Sequence, residues 1–301
     1  MRQHIARAPA KVNLQLSVGP LQDDGYHDLV TVFHAVGLFD DVHATAAEPG
    51  AGISLSVTGV QRDLVPLDST NLAWRAAQAL ANHAGVDPDV HLRITKGIPV
   101  AGGMAGGSAD AAAALVACDS LWGLRTPRAE LMEIAATLGS DVPFGLHGGT
   151  AIGTGRGEIL TPVLTRSSFW WVFALAEGGL STPAVYAECD RLRAGSAVAA
   201  PMLSGPLMSA LRSGDASEVA KNLSNDLERA AVSLRPSLSR VLGLGEEYAA
   251  LRAIVSGSGP TCAFLARDGE HALDLSVALS SAGLCRTVVR ASAPVPGAAL
   301  V

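Results

Sequence analysis

Apolar and polar residues alternate along the stretch IARAPAKVNLQLSVG at 5–19, where Val12, Leu14, Leu16 and Val18 interleave with Lys11, Asn13, Gln15 and Ser17. Successive side chains of a strand leave opposite faces, so this period of two predicts a half-buried strand. Its polar face carries Lys11, Asn13 and Gln15, which either line a cleft or are solvated. A turn signal at Asp24-Gly25 precedes a β-rich run over 29–36. Shorter strands are predicted over 53–57 and 90–94, with a helix over 71–83 behind the cap signal Asp68-Ser69-Thr70.

The pattern then changes character. Ala111 to Ala114 and Leu115 are strong helix formers, Trp122-Gly123 supplies a stop, and Thr126-Pro127 opens a second helix that runs to about Leu138. GGTAIGTGRG at 148–157 reads as a glycine-rich strand and a bulged hairpin. FWWVFALA at 169–176 reads as a buried strand, and Ser181-Thr182-Pro183 starts a helix that carries Tyr186. Beyond a loop of small residues over 194–206, helices are predicted over 207–212 and 216–231. The polar group Asn225-Asp226-Leu227-Glu228 then lies on a solvated helix face. A strand, turn and strand over 253–264 and a strand within 282–292 lead to a loose end, PVPGAALV.

Composition narrows the class. With 49% hydrophobic and 17% charged residues in 301, the chain can bury a core the size of two ordinary domains. The run at 169–176 falls far short of the roughly 20 apolar residues that cross a bilayer. No apolar segment follows Arg2 and Arg7, so neither a membrane span nor a secretory signal is expected, and a cytoplasmic location follows. Cys118, Cys189, Cys262 and Cys285 lack CxxC spacing and read as reduced thiols. A net charge of −6 argues against a nucleic-acid partner, and nothing points to an obligate protein partner.

Candidate chemistry concentrates in PVAGGMAGGSADAAAAL at 99–115. Four glycines, Gly102, Gly103, Gly106 and Gly107, allow positive φ and close approach of a ligand to the backbone. Ser108 is the expected N-cap of the helix that follows, whose free N–H groups and dipole suit a phosphate. The stretch is neither GxxxxGK followed by Ser or Thr nor GxGxxG. Elsewhere, Tyr26 and His27 either offer a stacking face and hydrogen bonds to a flat heterocycle or fold back onto the sheet. Asp141, between a glycine stop and Pro143, is either a helix cap or a rigidly held general base. Lys96 reaches a nucleotide or is solvated at its strand end.

Three stretches, APAKVNLQL at 8–16, PVAGGMAGGSADAAAAL at 99–115 and VSGSGPTCAF at 255–264, resemble in order and distance the three motifs of the GHMP small-molecule kinases. DGYHDL at 24–29 and LGSDVPFGLHGGTAIGTGRGE at 138–158 are similar to the branch that acts on a cytidine diphosphate-linked methylerythritol. The likeness extends to about residue 290. It implies an α+β fold with an ATP-binding domain over 1–165, like ribosomal protein S5 domain 2, and a ferredoxin-like domain over 166–301. It also implies transfer of a phosphoryl group from ATP, with Mg²⁺, to the 2-hydroxyl of that substrate, in the non-mevalonate route to isoprenoids.

By the same resemblance, Asp141 is the base and Lys11 the cation that orients it. Pro99, Val100, Ala101, Gly102, Gly103, Met104, Ala105, Gly106, Gly107, Ser108 and Ala109 bind the ATP phosphates, and Gly257 to Gly259 support them. Tyr26 and Tyr186 stack on cytosine, His27 bonds its edge, and Asn13 faces the methylerythritol. The loop departs from the usual GGLGGGSSNAA at Met104, Ala105, Ala109 and Asp110. Asp110 is expected to repel the phosphates and weaken ATP binding unless it points away.

Overall fold

The computed structural model describes residues 4–100 and 102–301. The first half runs β1 (His4–Leu21), β2 (His27–Ala46), β3 (Ile53–Gly59), α1 (Leu72–Ala84), β4 (Val90–Lys96), α2 (Gly106–Trp122), α3 (Arg128–Leu138), α4 (Val142–His147), β5 (Thr150–Thr154) and β6 (Ile159–Pro162). The second runs β7 (Phe169–Leu175), α5 (Thr182–Arg193), α6 (Gly205–Ser213), α7 (Ala216–Lys221), β8 (Ser224–Asn225), α8 (Glu228–Leu234), α9 (Ser237–Glu247), β9 (Arg252–Val255), β10 (Cys262–Ala266), α10 (Gly269–Ser281), β11 (Thr287–Ala293) and β12 (Ala299–Leu300).

Two sheets organise these elements. The larger has the order β12-β1-β2-β4-β3, with β5 and β6 continuing from β2 and β8 pairing with β1. β2 serves both branches because it is long: its Asp41 to Ala46 pair with β4, and its Thr31 to His34 pair with β5. The smaller sheet is antiparallel, in the order β11-β7-β10-β9. Counted along the chain, those are its fourth, first, third and second strands, the arrangement of a ferredoxin-like sheet. The expected α+β architecture is therefore present.

Alanine explains how the layers close. In α2, Ala109, Ala111 to Ala114, Leu115, Ala117 and Cys118 are all buried, so the helix is apolar on every side and lies inside the molecule. A Cβ on Gly145 of α4 would come within 2.9 Å of the Ala112 methyl. Larger side chains at either position would force α2 and α4 apart.

Several sequence expectations change in the structure. Asn71, not Asp68-Ser69-Thr70, caps α1, its side chain accepting from Ala73 N. The helix expected over 216–231 is broken, because Ser224 and Asn225 pair in parallel with Gln15 and Leu16 of β1. Helices α9 and α10 carry no sequence assignment at all. The supposedly loose end is built in: β12 pairs with Ala6 and Arg7, Gly149 N donates to Val295 O, and Ala298 N donates to Gly145 O. Gly148 and Gly297 cross so closely that a Cβ on Gly148 would lie 1.9 Å from Gly297 N, and one on Gly297 1.9 Å from Leu146 O. All four cysteines are free thiols, as expected.

Lys96 is not solvated at its strand end. Its ammonium is buried and bonds Asp40 Oδ2 at 2.5 Å and Asp110 Oδ2 at 2.7 Å. Asp40 Oδ1 accepts from Gly97 N and Ile98 N. Burial alone would lower the Lys96 ammonium, but the two carboxylates overcome it and hold the group above its ordinary value. Burial, helped by Asp40, pushes Asp110 well above the usual carboxylate range against the pull of Lys96. Asp110 therefore points inward, away from the helix end where a phosphate would sit, and the expected repulsion loses its basis.

Two outcomes follow for stability. Asp40→Asn, which removes the carboxylate holding one ammonium and two N–H groups, should cost about 3–5 kcal/mol in urea unfolding, while Asp110→Asn, whose carboxyl burial already pushes toward its neutral form, should cost less. His34 is fully buried, with Nδ1 bonded to Thr150 Oγ1 and Nε2 unpartnered, and burial pushes it down to about 3. Its folded value lies below its unfolded one, so the stability it lends is complete above about pH 6.5 and is lost as pH falls toward 3. The loss is on the order of 3–5 kcal/mol, and His34→Gln should flatten the dependence of the urea midpoint on pH in that window.

Candidate active site

The glycine loop leaves β4 through Gly97-Ile98-Pro99 and reaches α2 by two left-handed turns. Gly103 has φ 74° and Ala105 φ 59°. The first requires glycine, because a Cβ there would lie 2.3 Å from Ser256 O. The second holds an alanine in a conformation that costs roughly 1–2 kcal/mol. α2 thus begins at Gly106, with Ala105 and not Ser108 at the cap position and no side chain bonded to its first N–H groups. Gly107 is exposed, Ser108 half-buried, and Met104 and Ala109 buried. Val100 N donates to Gln61 Oε1, while Ala101 lies outside the described residues. An uncapped helix end behind a positive-φ loop can receive an anion.

The turn after β9 closes over this loop. Gly257 and Gly259 have φ 56° and 78°, Ser256 Oγ donates to Gly103 O, and a Cβ on Gly257 would sit 3.2 Å from both Gly103 O and Lys11 Nζ.

Lys11 and Asn13 meet this junction from β1, whose pairing with β2 shifts register between Asn13 and Gln15. The polar face of β1 is not solvated: Lys11 is 6% and Asn13 3% exposed, and Gln15 bonds Met202 O and Ser204 N. Lys11 Nζ donates to Asn13 Oδ1 at 2.7 Å, and its backbone N–H donates to Met104 O. Asn13 Nδ2 donates to Thr31 Oγ1, which donates to Gln15 O. Asp141 Oδ2 stands 3.6 Å from Lys11 Nζ. Although Asp141 occupies the N-cap position of α4, its side chain accepts no capping hydrogen bond, so the carboxylate is free to face Lys11 and solvent.

A third group lies near Asp141. Burial, with Asp141 and Cys189 adding, pushes the Tyr186 phenol above its ordinary value. Its ring stacks with His27 at 5.4 Å between centroids. His27 Nδ1 lies 2.9 Å from Gly19 O, and Nε2 lies 3.3 Å from Asp190 Oδ2. Tyr26, 55% exposed, carries the Arg156 guanidinium 3.6 Å above its ring centroid, and Arg156 is bonded in turn to Asp24. One face of Tyr26 is thus covered by Arg156, from the turn between β5 and β6. Arg156, Asp190, Gln61 and Thr31 had no sequence signal, because each acts through a partner distant along the chain.

The chain matches the model described as "GHMP kinases N terminal domain" over residues 71–149 and "GHMP kinases C terminal" over 207–284. It is 57% identical to the 4-diphosphocytidyl-2-C-methyl-D-erythritol kinase of Rhodococcus jostii (strain RHA1), covering 100% of this chain and 96% of that protein. It is 57% identical to that of Mycolicibacterium smegmatis (strain ATCC 700084 / mc(2)155), covering 98% and 91%. A crystal structure of 4-(cytidine 5'-diphospho)-2C-methyl-D-erythritol kinase superposes with a TM-score of 0.78 at 30% identity, covering 98% of this chain and 100% of that one. A homoserine kinase from Cytophaga hutchinsonii ATCC 33406 shares the fold alone, with a TM-score of 0.75 at 17% identity over 100% of this chain and 98% of that one. With both family regions in order and relatives of this identity along its whole length, the chain belongs to the GHMP kinases.

Proposed function

We propose that the chain transfers the γ-phosphoryl group of ATP to the 2-hydroxyl of 4-diphosphocytidyl-2-C-methyl-D-erythritol, giving the 2-phosphate in the methylerythritol phosphate route to isoprenoid precursors. The observation that carries this reading is the Lys11–Asp141 pair at 3.6 Å, set beside an uncapped helix end and a glycine loop. Relatives of that name at 57% identity supply the acceptor. The dividing point between the ATP-binding domain and its partner falls at 165/166, between β6 and β7. Free thiols and an ATP-using reaction fit a cytoplasmic enzyme.

ATP would bring the transferable phosphoryl group, and Mg²⁺, when bound with it, would neutralise phosphate charge. The cradle fits a polyphosphate: Gly107 has only Leu72 near its missing Cβ, at 3.7 Å, and the first N–H groups of α2 have no side-chain cap. Residues 99–109 hold the phosphates there. Asp141 accepts the proton of the acceptor hydroxyl, which raises its nucleophilicity as attack begins. Lys11 keeps Asp141 in place and offsets negative charge at the transferring group, from a site dry enough for that charge to act at low effective dielectric. Asn13 turns Lys11 by accepting one of its hydrogens and faces the methylerythritol. Tyr186 and Tyr26 stack on cytosine, and His27 addresses its edge. Arg156 covers the far face of Tyr26, so the base takes the near one.

Purified protein with ATP, Mg²⁺ and the cytidylyl substrate should produce ADP, while mevalonate and homoserine give none; turnover on either of those instead would overturn the acceptor assignment. Asp141→Asn should lower kcat by about 10²- to 10⁴-fold and leave KM for ATP within about threefold. Asp110→Asn, whose side chain faces Lys96, should leave KM for ATP within about twofold in the same assay.

A further inference from the structure

Residues 224–228, of which Asn225 to Glu228 are expected on a solvated helix face, lie between the two halves of the site and bond to both. Ser224 and Asn225 pair with Gln15 and Leu16 of β1, Asp226 N donates to Leu16 O, and Asp226 Oδ2 accepts from Val18 N. On the other side, Asn225 Nδ2 donates to Val255 O and to Gly257 O, both at 2.8 Å, and Glu228 Oε2 accepts from Val255 N at 2.8 Å. Asn225 Oδ1 accepts from Leu227 N, which fixes which end of the amide faces the two carbonyls.

The gripped loop is the one that meets the site. Gly257 packs against Lys11 Nζ, Asn13 Oδ1 and Gly103 O, and Ser256 contacts Gly103. The connections form a closed circuit: β1 carries Lys11, residues 224–228 bind β1 a few positions further on, they hold the 255–259 loop, and that loop returns to Lys11 and the nucleotide loop. The loop's own glycines give it no intrinsic rigidity. Its position is set by the hydrogen bonds it accepts from Asn225 and donates to Glu228.

We infer that Asn225 and Glu228 are positioning residues for phosphoryl transfer, holding the 255–259 loop so that Lys11 and Gly103 stay in register. The inference rests on the proposed function for its effect on turnover. A merely structural role would lower stability and leave kcat and ATP affinity of the folded enzyme unchanged. A positioning role moves both, because displacement of a reacting group by about 1 Å can cost on the order of 10²-fold in rate.

Asn225→Asp keeps the shape of the side chain, loses both donors and sets a carboxylate against two carbonyl oxygens. In the full-length protein it should lower kcat about 10- to 100-fold. It should also weaken ATP binding by calorimetry about fivefold or more and speed amide hydrogen exchange at 255–259 and 103–106. KM for the cytidylyl substrate should stay within about threefold. Glu228→Ala, which removes a single acceptor, provides the same readouts with a smaller effect should Asn225→Asp not fold. Wild-type kcat and ATP affinity in a folded variant, or unchanged exchange at 255–259, would overturn the inference. Failure of the wild type to phosphorylate the cytidylyl compound would overturn the proposed acceptor; ATP affinity and exchange in the variants would still decide whether the loop is held as described.

Discussion

A lysine ammonium kept nearly dry is the constraint from which the rest of the site follows. Burying a charge costs several kcal/mol unless it is paired and hydrogen-bonded, and Lys11 is 6% exposed. Its partners come from different parts of the chain: Asn13 two residues away, Asp141 at the start of α4, and the 255–259 loop packed over the top. Each of these has to be held in turn, which is why a register shift in β1, a polar relay through Thr31 and the bonds from residues 224–228 converge on one side chain.

A second buried lysine lies beneath the glycine loop and does a different job. Lys96 is enclosed between Asp40 and Asp110 and joins β2, the end of β4 and the first turns of α2. A Cβ on Gly106 would lie 3.3 Å from Lys96 Nζ, so the ammonium sits directly behind the helix end. The loop's unusual Asp110 thus serves the floor of the site. Judged from its place in the sequence alone, two residues after Ser108, the same carboxylate suggests the opposite role.

Elements with a local cause could be read from the chain. The alternation in β1, the alanine run of α2, the Trp122-Gly123 stop and the apolar β7 each match a period or a turn residue, and they appear where those signals lie. The glycine loop was legible as a cluster, although among its four glycines only Gly103 takes positive φ and the second left-handed turn falls on Ala105. What escaped reading was determined at long range. Asn225 leaves helix because β1 offers it strand partners, and Arg156 lies on Tyr26 because Asp24 draws it there. Lys96 is buried because two carboxylates from β2 and α2 reach it. Periodicity carries no information about such pairings, since the residues that decide them are more than ten positions apart.

The crossing of Gly148 and Gly297 ties two distant parts of the chain into one corner. The strand pair that flanks α4, and with it the setting of Asp141, is completed by residues 295–300, whose partners are Gly145, Gly149 and the first strand. No side chain fits at that crossing, so the corner is joined backbone to backbone and has no room for a larger residue to adjust it. A substitution at position 297, far from Asp141 along the sequence, therefore pushes directly on Leu146 and His147 of the helix that Asp141 opens.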